Sequence, residues 1–177
     1  FALPGTLKNI VYAPSWVESA SCFPLFLLKD FLGAAKKSSR INFVAVDCFD
    51  ELGSVEGPNP YSRELILEVA KDTSVVFCLS SYNRNSMQSV RRMFIEFAEL
   101  GIANPVILSA ISPMHTPDEH LIHFATETGA LLLDGMGDGI SLGFKGNHAL
   151  ENPIVKGRTY LPVKDMYQFA NNTAFSI

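Results

Sequence analysis

Short apolar runs alternate with helical patterns along the chain, and this alternation limits the fold more than any other feature. Five runs are rich in β-branched and aromatic residues and carry almost no charge: 10–13, 41–46, 74–79, 105–108 and 130–133. Strands that are apolar on both faces belong in buried parallel sheets. Strands that alternate with helices at intervals of about 30 residues predict β-α-β units. We therefore predict an α/β fold with parallel strands.

The length of the chain leaves two architectures open. A closed (βα)8 barrel typically needs about 250 residues, and this chain has 177. The sequence predicts a single domain over residues 1–177. Its strands form either a TIM-barrel-like sheet, as an incomplete barrel, or an open α/β sheet.

The predicted helices have recognisable boundaries. Thr116-Pro117-Asp118-Glu119 is a capping box, from which a helix runs to Gly129. Another helix begins at Asn59-Pro60 and ends near Lys71, and a last one covers about residues 163–175. An amphipathic helix ends at Gly101, and its apolar stripe consists of Met87, Val90, Phe94 and Phe97.

Charge and hydropathy exclude several classes of partner. The chain has 14 basic and 18 acidic residues, a net charge of -4, and no basic run longer than two residues. This is not the footprint of a protein that binds nucleic acid or anionic lipid, and no apolar stretch reaches the ~20 residues that span a membrane. Only 18% of the residues are charged, against about 25% in ordinary domains. We expect a well-filled core, or an apolar face that something else covers.

Three cysteines predict a reducing compartment. Cys22, Cys48 and Cys78 are widely spaced, odd in number and flanked by apolar residues, as expected of reduced thiols in a cytoplasmic protein. The chain has no Cys-x-x-Cys pair, so we expect no iron–sulfur or zinc centre in it. It begins without Met or a signal sequence and ends within an apolar run, which predicts a piece of a larger protein.

A glycine-rich loop at residues 134–139 is the first candidate site. A predicted strand at 130–133 leads into it, and its candidate residues are Gly135, Gly137, Asp138 and Gly139. Successive amides of such a loop can surround a phosphate. The alternative is a tight turn in which glycine supplies positive φ and Asp134 or Asp138 caps backbone donors. The spacing does not match a dinucleotide fingerprint.

Histidines at the start of one predicted helix are the second candidate site. His115, His120 and His123 lie close to Glu119, at spacings that allow a metal site. The alternative is a solvent-exposed helix face on which His120 and His123 lie opposite the apolar residues.

The sequence gives little support for a catalytic site built on carboxylates, a serine or a cysteine. Asp47 and Asp50 follow the predicted strand 41–46, at the end where parallel sheets keep their working residues, but an exposed loop explains them as well. No G-x-S-x-G motif is present, and no cysteine has a basic neighbour in sequence. We predict no catalytic residue in this chain.

Three segments carry a resemblance to a known family: Asn-Pro-Val-Ile-Leu at 104–108, Ile-His-Phe-Ala-Thr-Glu-Thr-Gly at 122–129, and Gly-Ala-Leu-Leu-Leu-Asp-Gly-Met-Gly-Asp-Gly at 129–139. They resemble 4-hydroxy-3-methylbut-2-enyl diphosphate synthase, most closely its long form from plants and some bacteria, whose pattern is G-x-L-L-x-D-G-[ILMF]-G-D-G. Residues 167–175 resemble the D-F-x-R-x-T-S-F segment that precedes the family's first cluster-binding cysteines. About 60 residues carry the likeness.

The resemblance implies a function for the parent protein. The long form has a catalytic barrel, an inserted barrel-like middle domain and a C-terminal domain with a four-iron four-sulfur cluster. By position this chain resembles the middle domain, with the other two domains and the cluster ligands outside it. The parent is then a cytoplasmic oxidoreductase of the non-mevalonate route to isoprenoids. It reductively opens 2-C-methyl-D-erythritol 2,4-cyclodiphosphate with electrons from ferredoxin or flavodoxin.

The chain departs from the family at two places. The catalytic barrel ends its own version of the motif with an arginine that suits an anionic ligand, whereas here Ser141 follows Ile140. Residues 143–161 form a longer connection than is usual in the family. The resemblance thus implies an inserted copy that has lost substrate binding and acts as a structural spacer. It also implies an apolar face that the other domains normally cover, through which the isolated chain would self-associate. The alternative is a free-standing α/β enzyme or phosphate-binding module that uses the loop Gly135–Gly139.

Overall fold

The structure is a computed structural model that describes residues 9–49, 60–82, 86–145 and 165–177. Its strands are β1 (Asn9–Tyr12), β2 (Cys22–Leu27), β3 (Asn42–Asp47), β4 (Val75–Ser80), β5 (Val106–Ser112) and β6 (Gly139–Phe144). Its helices are α1 (Leu28–Phe31), α2 (Pro60–Ala70), α3 (Ser86–Glu99), α4 (Pro117–Phe124), α5 (Ala130–Leu133) and α6 (Met166–Ser176). A 3₁₀ turn spans Ala13–Ser15, and a π-helical turn, Ala125–Gly129, joins α4 to α5.

The strands confirm the predicted α/β class. They follow one another in the order β1-β2-β3-β4-β5-β6 and run parallel. The register pairs Phe26 with Val44 and Val44 with Phe77. This order has no reversal, whereas a doubly wound sheet has a switch point where its order reverses. The chain divides into two compact units, Phe1–Ile107 and Leu108–Ile177, which are described separately below.

The core of the first unit lies between the sheet and its helices. Alternate residues of β3 and β4 are buried, among them Val44 and Phe77, both 0% exposed. The Phe77 ring packs edge-on against Phe97 of α3 at 4.9 Å. Val90, Met93 and Phe97 form the buried stripe of α3. The predicted stripe is therefore right for Val90 and Phe97, whereas Phe94 is only half-buried and Met93 takes its place.

A buried asparagine fixes the entry into β3. The Asn42 side chain accepts a hydrogen bond from the Ser38 amide at 2.8 Å and donates to the Ser38 carbonyl at 2.9 Å. It also donates to the Ser74 hydroxyl at the start of β4, at 2.8 Å. Because Asn42 is 0% exposed, these bonds satisfy polar groups that would be costly to bury alone.

The second strand was missed in the sequence because Pro24 interrupts its apolar run. Pro24 is opposite Val11 in the ladder between β1 and β2, and the ladder to β3 begins one residue later, at Leu25. The missing N–H of proline therefore falls before that ladder starts. The other predicted strands before residue 110 agree with β1, β3, β4 and β5 to within a few residues.

The predicted strand at 130–133 is wrong. These residues form α5, which continues the helix of α4 through the π-helical turn, so that Gly129 does not end the helix. Gly129 has helical φ and ψ, and a Cβ there would lie 3.2 Å from Ile177, so the glycine allows close packing rather than a break. The helix ends at Leu133 with Asp134 as its C-cap, and the strand of this region is β6.

Helix α6 confirms the predicted last helix within the described residues. Residues 146–164, which include most of the predicted long connection, and Asp50 lie outside them. Among the described helices, none has the length and apolar character needed to cross a membrane.

Candidate functional site

The glycine loop of the second unit is the turn that ends helix α5. The Gly135 amide donates to the Leu132 carbonyl and the Met136 amide to the Leu131 carbonyl, both at 2.9 Å. Gly135 has φ +74°. This pair of bonds and a left-handed glycine define a Schellman motif, the common C-terminal cap of a helix. Two amides of the predicted anion cradle are therefore used by helix carbonyls.

Gly137 has a different structural role in the same turn. Its φ is +91°, and a Cβ there would lie 2.8 Å, 3.0 Å and 3.3 Å from side-chain carbons of Leu108. Leu108 is 1% exposed, so it has no room to move away. Glycine is required here by both backbone conformation and packing.

The electrostatics of the loop also disfavour an anion. The loop follows a helix C-terminus, where the helix dipole places partial negative charge. Asp138 is exposed at its outer side and adds a carboxylate, and Gly139 already belongs to β6. Of the two interpretations of the sequence, the geometry is that of the tight turn.

A buried serine–histidine pair lies at the carboxyl end of β5. The His120 Nδ1 atom is 2.7 Å from the Ser112 Oγ atom, and the two residues are 1% and 0% exposed. The Met114 amide donates to the same hydroxyl at 3.4 Å. Strand ends are where parallel-sheet enzymes place reactive groups, and a serine beside a histidine is the geometry of an activated nucleophile.

Aromatic rings surround this pair within the second unit. The His120 ring stacks on Phe124 of its own helix at 6.2 Å. The centres of the His120 and Phe144 rings are 4.9 Å apart in an edge-to-face arrangement. The ring of Phe169 on α6 lies tilted to the imidazole, with the ring centres 6.3 Å apart. Both the serine and the imidazole are closed off from solvent by the described residues around them. The pair acts as a hydrogen-bonded centre of the aromatic core.

The other histidines lie in different environments. His115 is exposed ahead of α4, and His123 is half-buried with its ring 6.0 Å from Phe124. The prediction that His120 lies on an exposed face is wrong, because it shares the buried side of α4 with Phe124, while Ile122 is 63% exposed. No group of three or more His, Cys, Asp or Glu side chains in the described segments is placed to hold a metal ion.

Glu119 has a structural task at the helix start. Its carboxylate accepts hydrogen bonds from the Thr116 hydroxyl at 2.9 Å and the Thr116 amide at 3.1 Å, while the Glu119 amide donates back to the Thr116 hydroxyl. These bonds, with a weaker one from the His115 amide, lower the pKa of the Glu119 carboxyl. The predicted capping box is confirmed.

In the first unit, two polar side chains meet at the carboxyl ends of neighbouring strands. Asp47 ends β3 and Ser80 ends β4, and the two are register partners. The Asp47 carboxylate accepts a hydrogen bond from the Phe49 amide at 3.1 Å. This is the turn geometry expected of an aspartate after a strand. The carboxylate thus stabilises its own loop.

The cysteines do not fit a four-iron four-sulfur cluster, which needs converging thiolates. Cys22 begins β2, whereas Cys48 follows β3, so these two lie at opposite ends of parallel strands. Burial raises the pKa of the Cys78 thiol to about 12, which keeps it protonated at neutral pH. None of the three cysteines forms a disulfide in the described part of the chain.

Ser112 is a partner of His120 that the sequence patterns did not predict. A signal was present, because His120 and Phe124 are four residues apart on an apolar helix face and Ser112 ends the preceding strand. Helical spacing alone does not say which face of α4 packs inward, and that choice decides whether the histidine is exposed.

Comparison with known proteins finds a likeness to part of a larger enzyme. No protein-family model matches the chain, and no solved structure matches it. The chain is 28% identical over 151 residues, or 84% of its length, to a 4-hydroxy-3-methylbut-2-en-1-yl diphosphate synthase (flavodoxin) of Parabacteroides distasonis. It spans 23% of the length of that relative. The chain is thus similar over most of its own length to a part of a larger flavodoxin-dependent synthase.

Proposed function

We propose that this chain is the inserted middle domain of a 4-hydroxy-3-methylbut-2-enyl diphosphate synthase of the long form. The observation that carries the proposal is the 28% identity over 84% of the chain to a synthase that is several times longer. The motif at residues 129–139, on which the resemblance was first based, lies within the second unit.

The parent protein would be a cytoplasmic oxidoreductase of isoprenoid biosynthesis that opens the cyclic diphosphate reductively. Flavodoxin, which the name of the relative gives as its partner, or ferredoxin would supply the electrons. A four-iron four-sulfur cluster would supply the redox chemistry, with ligands elsewhere in the parent, because Cys22, Cys48 and Cys78 do not converge.

Within that protein we assign the chain a structural role, as a spacer between the catalytic barrel and the cluster domain. Three observations support this role. The amides of Gly135 and Met136 close a helix instead of facing a ligand. The motif continues with Ser141 where the catalytic copy has arginine. The Ser112 and His120 side chains are buried in an aromatic core.

The strand order supports a barrel origin for the domain. Six parallel strands in chain order are what successive units of a (βα)8 barrel produce. An incomplete barrel of this kind is consistent with an inserted domain that keeps the β-α-β architecture without a working site.

The direct test is binding. Isothermal titration calorimetry of the chain with the cyclic diphosphate should give no measurable heat, and iron analysis after anaerobic reconstitution should find no stoichiometric cluster. A Kd in the micromolar range for the cyclic diphosphate, or for inorganic phosphate, would contradict the spacer role.

The second test uses the full-length synthase. The Asp138→Asn variant changes an exposed residue of the former candidate loop, and for a spacer both kcat and KM should stay within about twofold of the wild-type values. Asp134→Asn is the matched control, since Asp134 lies exposed on the same turn. A rise in KM that is confined to Asp138→Asn would indicate a substrate contact and overturn the assignment.

A further inference from the structure

Three cationic side chains lie close together in the first unit, just before β3. Lys36 and Arg40 are exposed and Lys37 is half-buried. Residues 36–40, called here the basic segment, contain no acidic residue, although the chain as a whole has a net charge of -4. The sign of the charge is therefore reversed locally on this surface.

Both lysines of the basic segment are held against aromatic rings. The Lys36 ammonium is 5.0 Å from the centre of the Trp16 ring, and the Lys37 ammonium is 4.1 Å from the centre of the Phe31 ring. Such cation–π contacts restrict a side chain without neutralising its charge. The two ammonium groups are therefore available to an anionic partner, and part of the conformational freedom that binding costs is already lost.

Arg40 is held by hydrogen bonds as well as by a ring. Its guanidinium lies 4.8 Å from the centre of the Phe23 ring and donates to the carbonyls of Ser19 at 2.6 Å and Ala20 at 3.2 Å. These bonds leave further N–H donors of the guanidinium available. The backbone of the segment is anchored by the bonds between Ser38 and the buried Asn42, so the basic segment is held in place before any partner arrives.

No carboxylate of the described residues forms an ion pair with any of the three cations. Asp30 of α1 lines the same hollow as Lys36, but it is exposed and does not pair with the lysine. The basic segment thus presents three positive charges for which the described part of the chain supplies no carboxylate partner.

We propose that the basic segment binds an acidic stretch of another protein, one that offers several carboxylates in a row. Because each cation is held over its own ring, the charges are spread along the segment, which suits a row of carboxylates better than one small anion. Three cations would neutralise few phosphates of a nucleic acid, whose affinity rests on many such contacts. The proposal goes beyond the spacer role and does not depend on it, because the first unit alone provides the surface.

The first experiment uses the only tryptophan of the chain as its probe. Trp16 is 7% exposed and lies against Lys36, so a partner that binds the Lys36 ammonium should change the Trp16 emission. Titration with an octaglutamate peptide should give a saturable change, and titration with an octaserine peptide should give none. Raising the salt from about 0.05 M to about 0.5 M should raise the Kd roughly tenfold or more, because the attraction is between exposed charges.

The second experiment removes one charge at a time, with binding of octaglutamate measured by calorimetry. Lys36→Gln and Lys37→Gln should each raise the Kd roughly threefold, the effect of losing one exposed ion pair, whereas Lys37→Arg should keep the wild-type Kd. Asp30→Asn should lower the Kd by up to about threefold, since it removes a charge that repels the peptide. Lys71→Gln is the matched control, because Lys71 is an exposed lysine of the same unit that already pairs with Glu68, and it should leave the Kd unchanged.

Four results would overturn the proposal: no saturable change with octaglutamate at low salt, an unchanged Kd in the variant that carries both Lys36→Gln and Lys37→Gln, equal weakening by Lys71→Gln, or tighter binding of inorganic phosphate or of a thymine oligonucleotide than of the peptide. Circular dichroism should show the wild-type fold in each variant. If Lys37→Gln fails to fold, Lys36→Gln and Asp30→Asn, both at exposed positions, decide the question by their opposite effects on the Kd.

Discussion

Two glycines in one turn differ in what a side chain would meet. A Cβ at Gly135 would enter open space, and only the positive φ opposes it, whereas a Cβ at Gly137 would also collide with the buried Leu108. We predict that Gly135→Ala lowers the free energy of unfolding by about 1–2 kcal/mol, and Gly137→Ala by roughly 2–4 kcal/mol, since overpacking adds to the backbone strain. Urea unfolding followed by circular dichroism measures both.

Gly33 is the control for this pair. It has open space around it and no positive φ, so Gly33→Ala should be neutral or stabilise by up to about 1 kcal/mol. If Gly135→Ala and Gly137→Ala cost the same, contact with Leu108 does not decide the choice of glycine at position 137.

The pair of Ser112 and His120 allows a second prediction at the residue scale. Ser112→Ala removes the partner of a buried imidazole nitrogen, and we expect a loss of about 1–3 kcal/mol in the free energy of unfolding. Ser112→Thr keeps the hydroxyl but adds a methyl group in a fully buried site, so part of the loss should remain. Urea unfolding of both variants is the measurement. No loss in Ser112→Ala would mean that the hydrogen bond contributes nothing net.

At the scale of elements, the start of α4 depends on reciprocal hydrogen bonds. Thr116→Ala should destabilise the chain by ~1 kcal/mol, the usual effect of losing an N-cap side chain. The pKa of Glu119 is lowered in the folded chain, so the contribution of its charged form is fully present above its ordinary value of 4.5 and is lost as the pH falls through the lower folded value.

Glu119→Gln distinguishes the effect of the Glu119 charge from that of its hydrogen bonds to Thr116. The amide can still accept the Thr116 bonds but does not titrate, so this variant should lose less stability than the wild type between neutral and acid pH. Urea midpoints at a series of pH values test the difference. Equal acid sensitivity of wild type and variant would show that other carboxyls dominate there.

Local signals predicted some elements well and failed where tertiary contacts decide. The Thr116 capping box and the β-branched runs of β3 and β4 are local, and the structure confirms them. A short apolar run such as residues 130–133 fits a buried strand or a buried helix equally well, and a glycine before it favours a helix end at Gly129. The close approach of Ile177 to Gly129 involves a residue far along the chain, which a local pattern does not contain.

The candidate site follows the same rule. The glycine pattern correctly indicated positive φ at Gly135 and Gly137, because that property belongs to the residue itself. Whether their amides point to a ligand or to helix carbonyls depends on the element before them, and that element was predicted as a strand. The anion-cradle interpretation assumed a strand before the loop, whereas the Gly135 and Met136 amides donate to helix carbonyls; whether the loop binds an anion stays a prediction.

At the scale of the whole molecule, the many apolar residues of this weakly charged chain lie in two kinds of place. One is the set of cores around Phe77 in the first unit and Phe124 in the second, both 0% exposed. The other is apolar surface, including Tyr12 at the end of β1, which is 48% exposed, and Phe175 of α6, which is 77% exposed. Composition alone could not separate these, because it counts residues without placing them.

The thiols give the last prediction, because they affect the stability of the whole chain at alkaline pH. Burial raises the pKa of Cys78 from 9.0 to about 12, whereas in the unfolded chain this thiol regains its ordinary value. The contribution of this thiol to folding stability is therefore fully present below about pH 9 and is lost as the pH rises towards about 12, since only the unfolded state releases the proton there. Cys78→Ala should flatten this decline in urea midpoints, while Cys22→Ala, at a half-buried thiol on β2, should keep it. An unchanged alkaline slope in Cys78→Ala would show that burial of this thiol does not control the decline.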